Sequence, residues 1–144
     1  MFFSARAREA VVTSMSTSPT GSLPIVLVVE DELLLRMRAV DMVQDAGYTS
    51  IEAVDADAAL AVLESRSDIA LLFTDIQMPG SMDGLELARA VTKRWPPIKI
   101  ILVSGQLSLA KGEIPLDSLF FAKPLISSEM VAEMRKMIDS GHDG

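Results

Sequence analysis

The 144 residues predict an α/β domain built on a doubly wound, five-stranded parallel sheet. Three observations lead there. Four short apolar runs, Ile25–Val29, Ile69–Thr74, Ile100–Val103 and Leu119–Ala122, are continuous instead of alternating, as expected of strands buried on both faces. Between them lie segments with apolar residues at helical spacing, the crossovers that parallel strands require. Each run also ends on a polar group: Glu30–Asp31, Asp75, Ser104 and Lys123. In a parallel sheet all carboxyl ends share one edge, where a crevice opens as the strand order reverses.

The elements follow in order. A Ser/Thr/Pro/Gly-rich stretch from Thr13 marks residues 1–22 as a mobile leader, with Met15 as an alternative start of translation. The folded unit is expected over residues 23–139, and residues 140–144, with His142, as a frayed tail. After the first strand, Leu35, Ala39, Met42, Val43 and Ala46 recur at helical spacing, and Gly47 stops the helix. A short strand covers Thr49 to Ala53, then Asp55 or Asp57 caps a helix carrying Ala59, Leu60 and Leu63. The third strand ends at Asp75. Beyond a loop, Asp83-Gly84 opens a helix whose inner face is Leu87, Ala88, Val91 and Trp95, stopped by Pro96-Pro97. The segment Gly105 to Asp117 has helical character around Leu107 to Lys111, limited by Gly112 and Pro115. The fifth strand runs into Lys123-Pro124. A last helix aligns Met130, Met134, Met137 and Ile138, which read as core filling.

Composition narrows the function. A formal charge of −7 and no basic stripe argue against a nucleic-acid surface, which needs clustered Lys and Arg. With no cysteine there is neither a disulfide framework nor a thiolate metal site, which is compatible with a reducing cytoplasm. No apolar stretch approaches the roughly 18 residues that span a bilayer, so no membrane insertion is expected.

The strand-end groups together make a site for a divalent cation and an oxyanion. Two carboxylates about 4 Å apart repel by about 4 kcal/mol at an effective dielectric near 20. Gathering Glu30, Asp31 and Asp75 therefore demands counter-charge: Lys123 supplies one unit, and a hard, oxygen-seeking cation such as Mg²⁺ two more. Asp75 ends the central strand, and Pro79 and Gly80 hold the following loop off it. Beside a metal and an ammonium, its carboxylate can attack phosphorus and form an acyl phosphate. Ser104 is placed to donate a hydrogen bond to a phosphoryl oxygen.

These residues resemble the receiver domain of two-component response regulators. The likeness covers about Leu23 to Ile138 and rests on VVEDE (Val28 to Glu32), TDIQMPG (Thr74 to Gly80) with MDGLELA (Met82 to Ala88), LVSG (Leu102 to Gly105) and FFAKP (Phe120 to Pro124). The resemblance implies a flavodoxin-like fold with strand order 2-1-3-4-5. It implies Asp75 as phosphoacceptor, and Asp31, Asp75 and the Gln77 backbone carbonyl as Mg²⁺ ligands, with Glu30 acting through water. Lys123 becomes the phosphate partner with a cis bond to Pro124, Ser104 the switch hydroxyl and Phe120 the switch aromatic. Gln77 and Gln106 fall where the family tunes dephosphorylation. Two departures stand out. One extra residue lies within Pro79 to Met82, and the stretch from Ser104 to Phe120 is short, so a reduced fourth helix is expected.

The expected function is a stand-alone receiver in the cytoplasm, a phosphoacceptor and not a classical enzyme. It would take a phosphoryl group from a sensor histidine kinase or a histidine phosphotransfer protein and signal to a downstream protein. About twenty residues follow Lys123, enough for one helix. The alternatives are a phosphorylation-independent binding module on the same fold and, less in keeping with the residues, an aspartyl-phosphate phosphatase. The latter carries a second Asp two residues after the nucleophile, where this chain has Gln77.

Overall fold

Parallel strands buried on both faces need apolar cover on both sides, and the helices of this chain divide accordingly. A computed structural model describes residues 23–105, 114, 115 and 117–143, with side chains through residue 139. The leader, Gln106 and most of the Gly105 to Asp117 segment lie outside the described residues. The elements are β1 (Ile25–Val29), α1 (Leu33–Asp45), β2 (Thr49–Ala53), α2 (Ala56–Ser65), β3 (Ile69–Asp75), α3 (Gly84–Arg94), β4 (Lys99–Ser104), β5 (Ser118–Ala122) and α4 (Ser127–Asp143). All strands are parallel, in the order β2-β1-β3-β4-β5. The expected order and the central place of the Asp75 strand are both found.

Strand alternation sorts the core into two layers. Leu27, Val29, Leu72, Ile100 and Leu102 face α2 and α3, meeting Ala59, Leu63, Leu87 and Val91. Val28, Leu71, Phe73, Ile101 and Val103 face α1 and α4, meeting Met42, Val43, Met130 and Met134. Met130 and Met134 are fully buried, so the methionine face fills core as its spacing implied.

Local signals set the ends of the helices. Of the two candidate caps for α2, Asp55 does the work, accepting from the Ala58 N–H at 2.9 Å. Asp57 instead accepts from the Ser81 hydroxyl at 2.7 Å and ties the lengthened loop after Pro79 to α2. Asp83 and Glu86 form a reciprocal capping box at the start of α3. After α1, Gly47 takes a φ of 95°, which a β-carbon would disfavour, and turns the chain toward β2. The backbone of α4 runs through Asp143. Among the described residues no helix is long and apolar enough to cross a membrane.

Gly84 matters for a different reason. Its amide donates to the Ile76 carbonyl at 2.8 Å, which presses the start of α3 against the end of β3. A β-carbon at Gly84 would run into the Asp75 carbonyl oxygen and lie 2.7 Å from the Asp75 carbonyl carbon. Both are backbone atoms and cannot swing aside. Gly84→Ala should therefore lower the urea midpoint, reflecting an overpacking cost of roughly 1–3 kcal/mol in stability. Gly105→Ala, whose β-carbon would have nothing within 4 Å, should leave it nearly unchanged. Equal midpoints for the two variants would show that α3 does not press on the Asp75 strand end.

Candidate functional site

The site is assembled by backbone hydrogen bonds that continue the ladders one residue past the strands. The Glu30 amide donates to the Ala53 carbonyl at 3.1 Å, the Ile76 amide to Val103 at 2.9 Å and the Lys123 amide to Ser104 at 2.9 Å. Because neighbouring strands are in parallel register, these bonds bring Glu30, Asp75, Ser104 and Lys123 to one edge.

Three carboxylates converge there. Glu30, Asp31 and Asp75 each present an oxygen, all within 4.8 Å of one another. Each pair of full charges at that spacing repels by about 3–4 kcal/mol at an effective dielectric near 20. The Lys123 ammonium answers part of this. It lies 3.0 Å from Asp75 Oδ2 and 3.4 Å from Glu30 Oε1. Burial opposes charge on Lys123, but the hydrogen bond and charge of Asp75, joined by Glu30, outweigh it and raise the ammonium's pKa.

The three acids differ in setting. Asp31 is exposed, while Glu30 and Asp75 are buried. Burial pushes the Glu30 carboxyl up to about 7, against the Glu32 N–H it accepts at 3.0 Å and with the help of the Asp75 charge. Asp75 Oδ1 is buried and has no hydrogen-bond partner, although Oδ2 is held by Lys123. A buried, unpaired carboxylate oxygen is costly unless something else occupies it. With three hard oxygen donors converging and one of them unsatisfied, the residues fit a small divalent cation such as Mg²⁺.

Other sequence-derived candidates fall near this centre. Ser104 is buried, and its hydroxyl donates to Gln77 Oε1 at 2.7 Å. The Lys123-Pro124 peptide bond is cis. Phe120 pairs with Leu102 across β4 and β5 and is half-buried against the core layer of α2 and α3. Gln106 lies outside the described residues. A cleft of about 310 Å³ opens beside Asp75 and Lys123, walled by Leu35, Met42, Phe73 and Val103. A larger cavity, about 730 Å³, lies at the opposite edge near Pro24, Thr49 and Lys99, away from the acids.

Sequence reasoning missed the arginines that brace the site. Arg36 donates from Nη1 to the Glu30 carbonyl at 2.9 Å and from Nε to Glu52 at 3.0 Å. Arg38 donates to the Leu125 carbonyl at 3.0 Å, linking α1 to the loop after Pro124. Their spacing resembles that of any solvated helix face, so only the fold reveals the partners. The close approach of Gly84 was likewise invisible beside its role as a helix opener.

The chain belongs to the response regulator receiver domain family, whose model matches residues 26–134. It is 33% identical over 116 residues to the response regulator receiver protein CpdR of Brucella abortus, covering 78% of this chain and 95% of that protein. It is 34% identical over 128 residues to the sensor kinase CckA of the same organism, covering 86% of this chain but 13% of the kinase. Among solved structures, a CheY-like receiver domain protein from Methanospirillum hungatei superposes with a TM-score of 0.77 at 26% identity, over 85% of this chain and 98% of that one. The response regulator TrrA of Thermotoga maritima, solved in complex with Mg²⁺ and BeF, does so with a TM-score of 0.69 at 27% identity, over 80% of this chain and 99% of that one.

The Glu30 environment makes stability depend on pH in the metal-free protein. Its folded pKa of about 7 exceeds the ordinary 4.5 of the unfolded chain, so its contribution is fully present below 4.5 and is lost as pH rises through 7. Glu30→Gln, which removes the charge and keeps the shape, should melt above wild type near pH 8 in chelator. The gap, on the order of 3 kcal/mol at most, should close as pH falls toward about 5. Parallel melting curves across that range would show that Glu30 is not strained by its charge.

Proposed function

We propose that this chain accepts a phosphoryl group on Asp75 from a phosphohistidine of a sensor kinase or a histidine phosphotransfer protein, and signals by a change of shape. The observation that carries the reading is the asymmetry of Asp75: Lys123 holds Oδ2, and Oδ1 is buried without a partner. In the transfer, Asp75 Oδ1 forms a bond to phosphorus as the phosphorus–nitrogen bond of the donor breaks, and the imidazole leaves with that electron pair. Lys123 exchanges its contact with Oδ2 for one with a phosphoryl oxygen, and Ser104 donates to a second. Hydrolysis by water returns the carboxylate and inorganic phosphate and ends the signal; in this reading the protein serves as a phosphoacceptor and switch.

Asp31, Asp75, the Gln77 backbone carbonyl and, through water, Glu30 would hold Mg²⁺. When bound, the ion supplies charge neutralisation for the phosphoryl group. The match across nearly the whole of CpdR, a response regulator receiver protein, supports the receiver reading; the downstream target in this proposal is a protein that reads the change of shape.

Asp75→Asn keeps the side chain's shape and removes the nucleophile. Wild type incubated with acetyl phosphate and Mg²⁺ should gain the mass of one phosphoryl group, labile to hydroxylamine. The variant should gain none while keeping a cooperative thermal transition. A comparable hydroxylamine-labile adduct on the variant would move the acceptor elsewhere.

A further inference from the structure

The Ser104 hydroxyl is already in use. Asp75 and Val103 are register partners on β3 and β4, so Gln77 and Ser104 extend neighbouring strand ends, and the Ile76 amide bond to Val103 holds them together. Ser104 is 1% exposed, whereas Gln77 lies at the surface and reaches back over it. The resulting O–H···O contact, 2.7 Å to Gln77 Oε1, has the ordinary length of a good hydrogen bond. A serine hydroxyl has one hydrogen to donate. Any phosphoryl oxygen that takes that hydrogen must first displace Gln77.

We infer that Gln77 is a positioning residue: its side-chain amide latches the Ser104 hydroxyl in the resting protein and opposes the phosphorylated arrangement. The inference rests on the reading of Asp75 as acceptor and Ser104 as donor to the phosphoryl group. It differs from a crowding effect on the attacking water, because a latch depends on the acceptor atom of Gln77 and not on its bulk. A neutral hydrogen bond has a net worth equivalent to roughly a two- to tenfold factor in an equilibrium constant. Removing the latch should shift the bound state by that factor.

Gln77→Met keeps the length of the side chain, removes the acceptor and leaves the backbone carbonyl in place. Gln77→Ala removes acceptor and bulk together. The affinity of the full chain for beryllofluoride in the presence of Mg²⁺, read by ¹⁹F NMR titration, should tighten roughly two- to tenfold in both variants. In a Ser104→Ala background neither substitution should tighten it. Unchanged or weaker binding in Gln77→Met, or equal tightening with Ser104 absent, would overturn the latch and leave the acceptor reading standing. Failure of folded wild type to bind beryllofluoride at all would overturn the acceptor reading and the latch with it.

Discussion

The constraint on which the rest depends is an excess of negative charge at one edge of the sheet. Glu30, Asp31 and Asp75 bring oxygens within 4.8 Å of one another, and Lys123 is the ammonium that meets them. The imbalance is visible in two places. Glu30 holds its proton to about 7 because burial and the neighbouring Asp75 penalise its charge, and Asp75 Oδ1 is left unpaired. Both describe an unfinished site. A divalent cation would complete it, by supplying positive charge and by giving the unpaired oxygen a partner.

Such strain persists only where the scaffold holds it. Here the scaffold is the parallel ladder itself, carried one residue further by the amides of Glu30, Ile76 and Lys123. The backbones that carry Glu30 and Asp75 cannot drift apart without breaking bonds that belong to the sheet. Arg36 fixes the Glu30 carbonyl, Arg38 fixes the loop after Pro124, and Gly84 lets α3 close against the Asp75 carbonyl. The apolar layers on both faces hold these strand ends in register. Core packing and site chemistry are thus linked through the register of five short strands.

Much of this was legible from residue order. The runs of β1, β3 and β4 are so uniformly apolar that burial on both faces is their only stable placement, and their terminal polar residues then fall on one edge. Strand β2 was harder to read: Thr49–Ala53 buries only Ala53, since it is an edge strand, and its placement followed from the elements around it. The choice between Asp55 and Asp57 as cap for α2 was open, because both have the right chemistry and only the loop holding Ser81 decides it. The Gln77–Ser104 bond and the reach of Arg36 and Arg38 were not legible. They depend on side-chain directions between segments 27, 6 and 87 residues apart, which carry no periodic signal.

Cation binding is the property that the gathered carboxylates imply most directly. Calorimetric titration of the full chain with Mg²⁺, paired with thermal melts, should show one weak site and a rise in melting temperature, both lost in Asp31→Ala. Asp31 is exposed and forms no part of the core, so its loss tests the site and not the fold. A wild type indifferent to Mg²⁺, or a variant stabilised to the same degree, would contradict the claim that these three carboxylates are gathered for a metal ion.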